Sequence, residues 1–130
     1  MALDTVATWH QLVKDRNPGG LDRLLAEDVV FHSPVLHAPQ NGKILTTMYL
    51  TAAFHVLGNE TFRYVREITG SHDAMLEFEV EIDGICINGA DMIKWDDSGQ
   101  IIEFKVMVRP LKALNLLHQM MEAMLRASQK

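Results

Sequence analysis

Apolar and polar residues alternate with a period of two along Ile85 to Pro110, the pattern of strands that bury one face. The turn formers Asp96, Asp97, Ser98 and Gly99 divide the stretch. After them, Ile102, Phe104, Val106 and Val108 form an apolar face. The opposite face, Ile101, Glu103, Lys105, Met107 and Arg109, is mostly polar. Before the turn, Ile85, Ile87, Gly89, Ile93 and Trp95 share one parity, with Asp91 among them. A two- or four-residue loop pairs Trp95 with Gln100, Ile93 with Ile102 and Asp91 with Phe104. Upstream, Leu76, Phe78, Val80 and Ile82 alternate with Glu77, Glu79, Glu81 and Asp83, and Asp83-Gly84 is a type I′ hairpin signal. That turn pairs Ile82 with Ile85, Val80 with Ile87, Phe78 with Gly89 and Leu76 with Asp91. In both hairpins the apolar parities coincide. Two independent turns therefore aim the Asp91 carboxyl into a core or a pocket, between Leu76 and Phe104.

The remaining chain supplies helices to cover this face. Leu3 to Arg16 reads as a helix with Asp4 as a plausible N-cap and Val6, Trp9 (or His10), Val13 and Leu12 on its apolar stripe. Asn17, Pro18, Gly19 and Gly20 stop it, and a short helix follows over Leu21 to Leu25. Asp28 to Ser33 is a strand that ends at Pro34, which cannot donate to a ladder. Val35 to Asn41 is a loop carrying His37. The next helix is Lys43 to Leu57, between Gly42 and Gly58, with Leu45, Met48, Tyr49, Ala52 and Val56 facing inward. Strands Thr61 to Thr69 and Ala74 to Asp83 flank Gly70 to Asp73. Pro110 opens a final amphipathic helix over Leu111 to Arg126, with Leu114, Leu117, Met121 and Met124 in one stripe. Helix, helix, strand, helix, four-stranded antiparallel meander and helix make an α+β order, and the helices cover the apolar sheet face.

Composition narrows the function. The chain has 130 residues, of which 48% are apolar and 22% charged, enough for one domain with a real core spanning 1–130. Its formal net charge is −5 with no basic run, which argues against nucleic-acid binding. The single Cys86 excludes an internal disulfide and a cysteine-based metal cluster. The six histidines show no HxH or HxxxH spacing, so no metal or other cofactor is expected. No signal peptide or membrane span is recognisable, so a cytoplasmic location without membrane association is the expectation.

The stretches LAEDVVFHSP (25 to 34), GADMIKWDDSGQIIEF (89 to 104) and KVMVRPLKAL (105 to 114) resemble the nuclear-transport-factor-2-like superfamily, more closely its SnoaL-like polyketide-cyclase branch. The resemblance spans nearly the whole chain. It implies a cone-shaped, curved antiparallel sheet wrapped over helices, a cystatin-like α+β barrel whose interior is a small-molecule pocket. It implies a small apolar or polycyclic ligand, a homodimer, and either cofactor-independent isomerase, cyclase or dehydratase chemistry or a non-catalytic binding or association module. Ketosteroid isomerases of this superfamily carry a protonated oxyanion-hole aspartate on the strand before the last hairpin, the place of Asp91. Their general-base aspartate precedes a proline at the end of the first strand, where this chain has Ser33 before Pro34. Their tyrosine lies on the first helix, where Trp9 is the nearest large aromatic.

Asp91 is the leading catalytic candidate, because burial raises a carboxyl pKa and a neutral acid can donate a proton or hydrogen bond. It could equally be a core aspartate satisfied by backbone or tyrosine groups. Arg66 shares the apolar parity of Phe62, Tyr64 and Ile68. A three-residue loop over Ser71 sets it beside Leu76, in one row with Asp91, whereas a two-residue loop turns it outward onto Glu77 or Glu79. Ser33 and His37 complete the catalytic set, with His32 pointing to the opposite face. The pocket is expected between the inner sheet face and the first and third helices. Its walls are Trp9, Val13, Phe31, Met48, Phe78, Ile93, Phe104, Val106 and Val108. The Met-rich tail over Met120, Met121 and Met124 either packs or lids the pocket. Met92, Ile101 and Met107 on the outer sheet face are the expected homodimer contacts.

Overall fold

A computed structural model of the chain describes residues 4–128. The first helix, α1 (Thr5–Asp15), begins where expected, for the Asp4 side chain accepts from the Ala7 amide at 3.1 Å. Leu3 of the predicted helix lies outside the described residues. A 3-10 turn over Pro18–Gly20 leads to α2 (Leu21–Leu24) and to β1 (Leu25–His32). The strand starts three residues before the predicted Asp28, because Leu25 is fully buried against Ile101. The predicted loop contains a short strand, β2 (Gln40–Asn41), which pairs antiparallel with β1. Helix α3 (Lys43–Leu57) matches its predicted bounds. Its buried face, however, is Thr46, Leu50, Ala52 and Val56, and Leu45 is exposed. Apolar side chains lie all round this helix, so periodicity could not choose its inner face.

The strands β3 (Arg63–Thr69), β4 (Asp73–Ile82), β5 (Ile85–Trp95) and β6 (Ile101–Arg109) form the meander, and α4 (Leu111–Ser128) follows. The sheet order is β2-β1-β6-β5-β4-β3, with β1 parallel to β6 and the other pairs antiparallel. The class is α+β, and the sheet is curved and unclosed, a cone wall rather than a barrel. The Asp83-Gly84 hairpin has the expected register at every pair from Ile82↔Ile85 to Leu76↔Asp91. Asp83 and Gly84 both adopt positive φ, as such a turn requires.

The second hairpin corrects the predicted register. Ile93 pairs with Phe104 and Asp91 with Val106, two residues from expectation, and Trp95 faces Ile101 after an irregularity at Lys94/Trp95. The cause is the turn. The Asp96 carboxylate accepts from the Ser98 and Gln100 amides, each at 3.0 Å, and closes a longer loop. A two-residue shift keeps parity, so Leu76, Phe78, Ile93, Phe104 and Val106 still share the inner face. The irregularity rotates Ile101 inward to full burial, which removes it from the expected outer contacts. Met92 and Met107 remain exposed there.

A second bulge governs β3. Ser71 and His72 form a two-residue connection closed by the Gly70 amide on the Asp73 carbonyl at 2.7 Å. Arg66 then pairs with Glu77 on the outside, while the bulge between Tyr64 and Arg66 keeps Tyr64 opposite Phe78 on the inside. The core divides into two clusters. One lies under α1 and α2 and includes Trp9, Leu24, Phe31, Leu50 and Phe104. The other lies under α4 and includes Phe78, Val80, Ile87, Ala113 and Leu117. Leu114 of the predicted C-terminal stripe is not in this cluster, and Ala113 and Leu116 take that side of α4. No helix among the described residues is long and apolar enough to cross a membrane.

Candidate functional site

The cavity lies between the concave sheet face and helices α1, α3 and α4, with a volume of about 870 Å³. Its wall is aromatic and tightly interlocked. Trp9 meets Phe104 edge-on at 4.9 Å and Phe54 at 5.6 Å, and Phe31 stacks on Tyr49 at 5.4 Å. Of the expected wall, Trp9, Val13, Phe31, Phe78, Phe104 and Val106 line it. Three do not. Ile93 is sealed in the first cluster, nearer the turn. Val108 packs into the second cluster, towards α4. Met48 falls off the lining because Tyr49, Ala53 and Phe54 present the α3 face to the cavity. Gly89 makes room for the Phe78 ring rather than for a ligand: a Cβ there would meet Phe78 Cζ at 2.4 Å and the Met107 carbonyl at 2.9 Å, and Gly89 is not on the cavity lining.

Asp91 is 7% exposed and lines the cavity. The indole Nε1 of Trp9 donates to the Tyr64 hydroxyl at 2.9 Å, and that hydroxyl donates to Asp91 Oδ2 at 2.7 Å. The direction of this relay is forced. An indole N–H can only donate, so the Tyr64 oxygen accepts from it and its one proton goes to Asp91. Burial and the neighbouring Asp91 push the Tyr64 phenol well above its ordinary pKa, so it stays a donor. Burial likewise pushes the Asp91 carboxyl up to about 7, against the opposing effect of the Tyr64 hydrogen bond. Oδ2 is already engaged as an acceptor, so the proton of neutral Asp91 sits on Oδ1. Among the described residues, only Thr46 Oγ1 is sealed from the cavity and from solvent without a partner, so the unpartnered Oδ1 opens to the cavity. When neutral, Asp91 presents an O–H donor to a largely apolar chamber, on whose lining Ser33 and Tyr49 also stand.

The other candidates separate. Ser33 lines the cavity, and its Oγ accepts from the Val35 amide at 3.2 Å. His32 pairs with Lys105, and Ser33 follows it just as Val106 follows Lys105. Val106 is the partner of Asp91 on its other side. Ser33 and Asp91 thus stand two strand spacings apart, about 10 Å. Arg66 is not part of the site: it is directed outward with its Nε 3.2 Å from Glu77. His37 is exposed and does not line the cavity, although Pro34, Val35 and Leu36 just before it do. Sequence reasoning missed Tyr64 as a site residue. The signal was its inward parity with Phe62, obscured by the bulge that breaks the parity at Arg66.

No family model and no curated protein matches the chain. Solved structures do. A steroid delta-isomerase from Pseudomonas aeruginosa is 37% identical over 96% of this chain and 91% of that one, with a TM-score of 0.90. A protein with a cystatin-like fold from Silicibacter pomeroyi is 30% identical over 92% of this chain and 84% of that one, at a TM-score of 0.85. A nuclear-transport-factor-2-like protein from Mesorhizobium loti is 18% identical over 82% of this chain and 89% of that one, at 0.71, and speaks to the fold alone.

Proposed function

We propose that this chain, which belongs to the nuclear-transport-factor-2-like, SnoaL-like superfamily, is a proton-transfer enzyme for a small apolar substrate, of isomerase, cyclase or dehydratase type. The observation that carries this reading is the Trp9–Tyr64–Asp91 relay ending in an aromatic cavity. Neutral Asp91 donates from Oδ1 to a substrate carbonyl or hydroxyl. It polarises that oxygen, or protonates it as it leaves, and Tyr64 steadies the carboxylate that results. The apolar walls hold a ring system and exclude water, which strengthens the hydrogen bond at the polar end. The similarity to a steroid isomerase supports a polycyclic substrate. Ser33 stands where the resemblance places the isomerase base, and a serine without a base beside it cannot abstract a carbon-bound proton. The chemistry that fits is therefore acid-led: in the loss of a hydroxyl as water, or in closure onto an activated carbonyl, Asp91 gives its proton to the oxygen and the carboxylate so formed takes the proton lost from carbon.

The Ser33 position also supports a second reading, a binding module in which Asp91 only orients its ligand. The test compares a polycyclic ketone with its parent hydrocarbon. The enzyme reading expects the ketone to bind more tightly below pH 7, the preference to fade as Asp91 ionises, and Asp91→Asn to abolish that pH dependence. It also expects the native protein, and not Asp91→Asn, to turn over the small molecule that co-purifies with it, followed by mass spectrometry. Equal binding of ketone and hydrocarbon at all pH values would sink the polar end of the site. Binding without turnover would favour the module.

A further inference from the structure

Two cations without partners stand on the cavity lining. Lys14 and Arg16, at the end of α1, both line it, both are exposed, and among the described residues neither makes an ion pair or side-chain hydrogen bond. Every other charged group on the lining except Glu60 is engaged. Arg63 is 2.9 Å from Glu79, His10 is 2.6 Å from Glu67, and Glu122 pairs with Arg126 and approaches His118 at 3.7 Å. Asp91 is held by Tyr64. The Arg16 side chain is not loose. It lies over the end of α3, with Cδ 3.3 Å and Nε 3.4 Å from where a Gly58 Cβ would stand. The α1 dipole accommodates cations at this helix end but does not require that they border a cavity. In a chain of net charge −5, this is a local excess of positive charge at an apolar opening.

We propose that the ligand is an amphiphilic acid, whose apolar body fills the cavity while its carboxylate, or a like anion, sits between Lys14 and Arg16. This names the substrate class for the site proposed above and rests on that reading. The dimensions set its length. Trp9, which anchors the relay, lies seven residues from Arg16, about 10 Å along the helix axis. A ligand of two to four fused rings spans that distance, with a neutral oxygen at Asp91 and an acid at the mouth. Glu60 shares this rim and is outnumbered by the two cations.

The probes are pyrenebutanoate and pyrenebutanol, which share an apolar body and differ in charge, with binding read by pyrene fluorescence anisotropy. The full-length protein should bind the acid roughly tenfold more tightly than the alcohol at low salt, a preference that shrinks in 0.3 M salt as screening shortens the reach of the cations (roughly tenfold being the scale of one partly screened charge contact). Lys14→Gln with Arg16→Gln should remove the preference. Equal affinities, or a preference that survives the double variant, would overturn the proposal while leaving the cavity reading intact. If neither probe binds, the cavity reading fails and the proposal falls with it.

Discussion

Asp91 holds its proton to about pH 7 in the folded chain, against an ordinary value of 3.8. Between those values this carboxyl makes the folded state bind more protons than the unfolded one, so the Asp91 contribution to stability is fullest below about pH 4 and is lost as pH rises towards 7. At about 1.4 kcal/mol per pKa unit, roughly 4 kcal/mol is at stake. Asp91→Asn keeps the acceptor for Tyr64 and removes the charge. Urea midpoints should show the variant close to the native protein at pH 4 and more stable at pH 8; a difference between the two that stays constant across that range would contradict the burial. Thr46 is a second residue-scale case. It is fully buried in α3, and its hydroxyl has no hydrogen-bond partner. Thr46→Val keeps the shape and removes the unmet group, so it should raise stability by about 1 kcal/mol in the same assay.

At the scale of elements, α4 closes the molecule. Leu117 and Ala113 are buried on Phe78, Val80 and Ile87, with Met120, Met121 and Met124 packed at the edge. Leu117, Met121 and Leu125 also line the cavity, so one helix seals the second core cluster and walls the site. Truncation after Arg109 removes one fully buried leucine and several partly buried side chains. At about 1.5–3 kcal/mol for each full burial, less the ordering entropy of the helix, it should lower stability by about 3–5 kcal/mol. It should also abolish ligand binding. Thermal unfolding checks the first outcome and fluorescence titration the second, and an unchanged melting temperature would show that α4 adds little.

Over the whole molecule, the convex face of the sheet carries an apolar diagonal. Ile68 opposes Met75, and Met75 opposes Met92, while Met107 stands beside Ala90. Ile68, Met92 and Met107 are 58%, 42% and 55% exposed, a patch that a lone subunit leaves in water. Arg66 stands opposite Glu77 and Lys94 opposite Glu103 on neighbouring strands, so the face carries both signs and a two-fold pairing can match opposite charges. We expect a homodimer through this face. Light scattering should give twice the chain mass at micromolar concentration, and Met92→Glu with Met107→Glu should halve it. A native monomer would refute the expectation.

Much of this architecture could be read from short-range chemistry. The Asp83-Gly84 turn set the register of β4 and β5, Gly42 and Gly58 bounded α3, and strict alternation put Asp91 on the inner face. Turn geometry and period-two burial depend on residues a few positions apart, and these are visible in one dimension. What could not be read came from fitting the elements together. The two-residue turn at Ser71 and His72 put Arg66 and Ile68 outside, the bulge at Tyr64/Arg66 brought Tyr64 back inside, and the irregularity at Lys94/Trp95 turned Ile101 in. The featureless α3 took its inner face from whatever the sheet left open. The site itself joins Trp9 to Tyr64 across 55 positions and Tyr64 to Asp91 across 27. A bulge accommodates the curvature of a sheet closing over its helices, and a hydrogen bond between distant strands forms only once that closure is complete. Neither leaves a periodic trace in the chain.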